Sequence, residues 1–135
     1  MTVFTIYGKP QGKARPRFSN GHAYTPKQTA DYEKQIKNAF IAAGGEKIES
    51  DGVIIEIDVY YKRATADKKK LSPTKKPDID NICKIVLDGL NGVAYADDKQ
   101  VVSLSANKYF AVKGAERIEV RMCSEDERKK TTVTE

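Results

Sequence analysis

Five aspartates fall between residues 78 and 98: Asp78, Asp80, Asp88, Asp97 and Asp98, with Asn81 and a single lysine, Lys84, among them. Carboxylate and amide oxygens are hard donors, the kind that divalent Mg²⁺, Mn²⁺ and Ca²⁺ prefer. The opening Asp78-x-Asp80 imitates a calcium-binding helix-loop-helix, yet Ile82 stands where an oxygen ligand is required, Cys83 where glycine is required and Gly89 where the bidentate glutamate belongs. Calcium is thereby disfavoured. What remains is Mg²⁺, with Mn²⁺ as a substitute, held by two or three carboxylates and several waters. Such an ion activates a water and stabilises charge on phosphorus and on the leaving oxygen during in-line hydrolysis of a phosphate ester.

The acids need an element to position them. At about 100° per residue, Asp80, Lys84 and Asp88 share one stripe of a helix, opposite Ile79, Ile82, Cys83, Val86, Leu87 and Leu90. Asp78 sits at the helix entrance, and Gly89, Asn91 and Gly92 mark its end. The turn at Gly92 lets the chain double back, carrying Asp97 and Asp98 toward the helix. Lys84 faces the same side as the acids, where an ammonium would stabilise a pentacovalent phosphate or orient the attacking water. A plainer reading stands beside this one: an aspartate at a helix start caps backbone N–H groups, and acid and base four residues apart pair on any helix surface.

Charge is segregated along the chain. Lys and Arg total 24 against 19 acids, a net +5. Gly8 to Lys27 holds Lys9, Lys13, Arg15, Arg17 and Lys27 with no acid, and Lys62 to Lys76 holds seven basic residues with Asp67 alone against them. Two cationic arms therefore flank an anionic centre. Cations suit a polyanion such as nucleic acid, and clustered carboxylates repel one unless a metal neutralises them. Lys13, Arg15 and Arg17, spaced along an extended arm beside Phe18, suit phosphate contacts, and Lys69, Lys70, Lys75 and Lys76 would form a channel wall just before the Asp-x-Asp unit. A solvated basic loop is the bland alternative for each.

The elements are legible from their periods. Val3–Tyr7 reads as a first strand, followed by a polar loop to Tyr24. Thr25, Pro26 and Gln28 predict a helix start with Thr25 as the cap, and Tyr32, Ile36, Ala39, Phe40 and Ala43 recur at helical spacing before Gly44 and Gly45. Val53, Ile55, Ile57, Val59 and Tyr61 alternate as a strand. From Lys62 to Pro77 periodicity vanishes, predicting a poorly ordered loop. Beyond the acidic helix, Val101–Val112 and Arg117–Met122 predict two strands joined as a hairpin at Lys113–Ala115. The order β-α-β-α-β-β predicts an α+β (mixed α/β) fold, a small mixed sheet with two packed helices. One domain over 1–123 and a polar, disordered tail over 124–135 are expected.

Several classes drop out. Cys83, Cys123 and His22 lack the paired spacing of a zinc site or a disulfide framework. Gly8, Gly12 and Gly21 lack the strand-to-helix setting of a nucleotide fingerprint, so no nucleotide cofactor is expected. No apolar run nears the roughly 18 residues of a membrane span, and Met1–Tyr7 lacks the zones of a signal peptide, so a cytoplasmic protein without a membrane partner is expected.

The run Lys76 to Val102, KPDIDNICKIVLDGLNGVAYADDKQVV, resembles the signature of RusA-type Holliday junction resolvases, and Gly8 to Pro26, GKPQGKARPRFSNGHAYTP, resembles a looser amino-terminal pattern of the same family. The resemblance extends to Cys123. It implies a homodimeric, Mg²⁺-dependent endodeoxyribonuclease, of a kind often encoded by prophages, that cuts four-way DNA junctions in recombination and repair. It places the catalytic, metal-binding carboxylates at Asp78, Asp80 and Asp98 and the catalytic lysine at Lys84. Asn81, Asp88 and Asp97 would support them, Asp88 either as a further ligand or through Lys84. Two other classes stay open on the residues alone: a nuclease for other branched or flapped DNA, and a non-catalytic DNA-binding module whose aspartates are structural. The count of acids between basic arms speaks against the last.

Overall fold

Val53–Tyr61 buries one face, Val53, Ile55, Ile57, Val59 and Tyr61, and half-buries the other, where Ile54 is buried and Glu56, Asp58 and Tyr60 are partly so, and such a strand is stable only with neighbours on each side. In the computed structural model, which describes residues 1–112 and 115–133, the last four by backbone alone, it is central in the sheet. The elements are β1 (Thr2–Tyr7), β2 (Arg17–Ser19), β3 (His22–Tyr24), α1 (Lys27–Ala42), β4 (Val53–Tyr61), α2 (Ile79–Leu90), β5 (Val101–Phe110), β6 (Arg117–Ser124) and α3 (Glu125–Val133). Four strands form a mixed sheet in the order β1-β6-β4-β5, in which β4 and β5 are parallel and the other pairs antiparallel. The fold is α+β, as the periodicity predicts.

Phe4 and Ile6 of β1, the alternate residues of β4, and Ile118, Val120 and Met122 of β6 make one apolar sheet face. Tyr32, Ile36 and Phe40 of α1 and Ile82, Ile85, Val86 and Leu90 of α2 close over it. Each such side chain, fully buried, stabilises the fold by about 1.5–3 kcal/mol. Gly89 does not end α2; it lies inside the helix, where a Cβ would stand 2.9 Å from Ile36 Cβ, so the glycine lets α1 and α2 approach. The opposite sheet face is polar: Arg121 bridges Glu56 and Asp58, and Arg117 pairs with Glu119 while covering the Tyr60 ring.

Several expectations are corrected. β5 and β6 are not a hairpin: β4 lies between them, because the fully buried face of β4 claims the centre while β5, mostly exposed, takes the edge. Of the expected joint, Lys113 and Gly114 lie outside the described residues. Residues 17–24, expected as loop, form the β2-β3 hairpin around Asn20 and Gly21, both at positive φ as a two-residue turn requires. Thr25 does not cap α1; the cap position falls on Pro26 and no side chain bonds there.

The loop 62–77 is not loose. Asp67 is buried, accepts the Ala64 N–H and pairs with Lys75 at 2.6 Å, while Arg63 donates to the Asp67 and Lys70 carbonyls. The polar tail begins with a helix rather than irregular chain: the Ser124 hydroxyl accepts the Glu127 N–H, and Glu125, Asp126 and Glu127 complement the helix dipole.

Candidate active site at the start of the second helix

Asp78 occupies the N-cap of α2 with extended backbone, φ −68° and ψ 152°, yet its side chain makes no capping bond. Asp80, in the first turn, and Lys84, one turn on, are exposed like Asp78, and none of the three has a hydrogen-bond or ion-pair partner among the described residues. The plain reading of these residues as cap and helix-surface pairs therefore fails for this trio. Two anions and a cation are held out on one helix face, unneutralised, by a core-packed stripe on the other.

Asp78 lies over the end of β4. Its charge, after burial, helps push the Tyr61 phenol up to about 12, and the Tyr61 hydroxyl donates to the Pro77 carbonyl at 2.5 Å, fixing the residue before Asp78. The Lys76–Pro77 peptide is cis. Burial pushes the Cys83 thiol up, with the Asp80 charge adding to it, as fits a core residue rather than a reactive one.

Asp97 and Asp98 sit on a 3₁₀ turn, Asp98–Gln100, that Gln100 pins: its amide oxygen accepts the Ala96 and Asp97 N–H groups, and its amide nitrogen donates to the Ile48 and Asp51 carbonyls. The Asp97 carboxylate accepts the Lys99 N–H at 3.0 Å, which holds its pKa down. A hydrogen bond with Asp97 holds the Asp98 carboxyl above the usual range, and the charge of Asp88 acts in the same direction. Both Asp98 and Asp88 also raise the buried Tyr95 phenol, behind burial itself. The chain does double back, and it brings Asp98 to the Asp88 end of the stripe.

Asp88 neither meets Lys84 nor stands free. Lys13 pairs with it at 3.1 Å and with Glu33 of α1 at 2.7 Å, and these acids raise the half-buried ammonium's pKa against the effect of burial. Lys13 thus ties the amino-terminal arm to both helices. Its backbone N–H donates to the Asn81 carbonyl, and a Cβ on Gly12 would stand 3.0 Å from Asn81 and 3.1 Å from Pro77. The arm is seated directly on the Asp-Asn segment. Sequence reasoning missed Glu33 and Gln100; Asp97-x-x-Gln100 is a readable capping signature, whereas nothing marks Glu33 before α1 is packed.

Of the remaining basic residues, Arg15, Arg17, Lys69 and Lys76 are exposed, and no side-chain partner is found for them among the described residues. Lys70 bonds Thr74, and Lys75 is spent on Asp67 and the Lys62 carbonyl. Among the described residues no three Asp, Glu, His or Cys side chains gather as one metal-holding group. The carboxylates form two sets, Asp78 with Asp80 and Asp88 with Asp97 and Asp98, spread along roughly 15 Å of helix axis. Their donor chemistry fits a hard divalent ion, which in the case of Mg²⁺ needs only one or two protein carboxylates beside water and substrate phosphate. No described helix is long and apolar enough to cross a membrane.

The family profile described as endodeoxyribonuclease RusA matches residues 7–123. A Bacillus subtilis (strain 168) protein described as uncharacterized protein YqaN is 32% identical over 136 residues, an alignment spanning 90% of this chain and 96% of the relative.

Proposed function

The chain belongs to the RusA endodeoxyribonuclease family, and from that premise we propose that it resolves four-way DNA junctions by paired phosphodiester hydrolysis, as a cytoplasmic homodimer. The observation that carries this reading is the unpaired trio Asp78, Asp80 and Lys84 on the outer stripe of α2. A DNA-binding module would gain nothing from two uncompensated carboxylates facing a polyanion.

Asp78 and Asp80 would hold a divalent ion, Mg²⁺ or Mn²⁺, beside water and the substrate phosphate, whereas Asp98, expected as a third ligand, stands with Asp88 and Asp97 at the other end of the stripe. The ion when bound would supply Lewis-acid stabilisation and a more acidic water. Lys84 would donate to a non-bridging phosphate oxygen as negative charge builds there. Asn81 fastens the arm to the helix through its carbonyl, Asp88 holds Lys13, and Asp97 accepts the Lys99 N–H beside Asp98. Arg15, Arg17, Lys69 and Lys76 would take the flanking phosphates.

Cutting assays with Mg²⁺ on four-way, three-way, flapped and duplex DNA test the reading. Paired symmetric cuts in the four-way junction are expected, and Asp80→Asn should abolish them while keeping or tightening junction binding, because a repulsive charge is lost. Preferred cutting of flaps would favour the broader branched-DNA nuclease, and cleavage by Asp80→Asn at the wild-type rate would remove Asp80 from the chemistry.

A further inference from the structure

A cavity of about 600 Å³ opens beside the start of α2, between the end of β1, the end of β4 and the loop 62–77. Its lining holds five cationic residues against one acid, Glu116. Two of the cations build the wall: Lys75 is fixed to Asp67, and Arg63 lies 3.9 Å over the Phe110 ring while bonding two loop carbonyls. The other three, Lys9, Lys62 and Lys76, are exposed, and their ammonium groups have no partner among the described residues. Pro10, Ala64 and Pro77 supply apolar surface to the same cleft.

The volume decides the class of occupant. A bare phosphate fills only a small part of such a space, whereas it falls within the roughly 300–1,000 Å³ of pockets that enclose small organic ligands. Free cations select an anion, the prolines suit a flat ring, and the pinned wall means the site need not be ordered on binding. We propose that the cleft holds one nucleotide of the DNA next to the scissile phosphate, its phosphate among Lys9, Lys62 and Lys76 and its base against Pro10, Ala64 and Pro77. Pro77 lines the cleft and immediately precedes Asp78, so a nucleotide seated here hands the adjoining phosphodiester to the carboxylates. The choice of substrate rests on the nuclease reading; the binding does not.

The test is a metal-free titration of the full ¹⁵N-labelled chain with thymidine 5′-monophosphate, thymidine or inorganic phosphate. The mononucleotide is expected to shift the amides of Lys9, Lys62–Thr65 and Lys76, and to bind at least about five-fold more tightly than either fragment, since both halves of the cleft contribute. Lys9→Ala with Lys62→Ala should weaken it about ten-fold, equivalent to ~1.4 kcal/mol, with the rest of the spectrum unchanged. Inorganic phosphate binding as tightly as the mononucleotide would overturn the proposal, leaving an anion site alone, and so would shifts that avoid these residues or fail to appear. Mononucleotide binding here by a protein that cuts no DNA would sink the nuclease reading and keep the cleft. Junction cutting without these shifts would do the reverse.

Discussion

A carboxylate at a helix start normally spends itself on the backbone, so the lack of a capping bond at Asp78 matters more than its presence there. Lys84 makes the same point from the other sign: with Asp80 and Asp88 one turn away on either side, its ammonium pairs with neither. We predict that Lys84→Ala slows single-turnover cleavage about 10²–10³-fold, the usual cost of losing one donor to a developing oxyanion. Junction affinity should change little, because the contact strengthens only as charge develops. A parallel loss of affinity would make Lys84 a ground-state phosphate contact. The types and spacing of these residues were legible in the sequence, since a helix of known period fixes which side chains share a stripe. Their pairing was not: Asp88 is claimed by Lys13, 75 residues earlier, and only packing of α1 on α2 brings Glu33 into that contact.

At the scale of elements, the amino-terminal arm has two parts, a seated stretch at Gly12–Lys13 and a hairpin whose residues are all exposed. Phosphate contact should therefore come from Arg15 and Arg17, without Lys13. Replacing both with Ala is expected to lower the slope of log affinity against log salt by about 1.8, roughly 0.9 for each contact to duplex DNA. An unchanged slope would take the arm out of the DNA interface. The loop 62–77 carries its own prediction, because Lys75 and then the Ala64 N–H hold the Asp67 carboxyl below the ordinary range. A carboxyl with a depressed folded value stabilises the loop above its unfolded value of about 3.9 and loses that effect as pH falls through the folded value. Protection factors of the amides across 62–77, taken against the intrinsic rate at each pH, should fall on acidification below about pH 4, and Asp67→Asn should show that lower protection already at neutral pH. Strands and helices that face the core were readable because burial imposes a period. The β2-β3 hairpin has no buried face to impose one, and its only signal was Asn20-Gly21. The loop's order was hidden for a related reason: it depends on one buried aspartate, which composition counts as just another surface charge.

For the whole molecule the decisive quantity is the number of cutting centres. Each chain carries one Asp-x-Asp unit on one helix, and resolving a four-way junction takes two cuts of matching polarity. Two-fold pairing of chains is the simplest arrangement that presents two equivalent centres to such a substrate. The open face of the sheet is a poor place for that pairing, since Arg121, Glu56, Asp58, Arg117 and Glu119 already satisfy one another there and burying them would cost their hydration. Mixing wild-type chains with Asp80→Asn chains should then produce heterodimers that nick one strand and stall. Nicked junctions should rise with the variant's share while resolved duplexes fall, in a plasmid-borne junction where the two products separate on a gel. Paired cuts by a protein that sediments as a monomer with DNA bound would defeat the dimer. So would a mixture in which nicked product never exceeds that of the wild type alone, because independent centres would leave each active chain to finish both cuts.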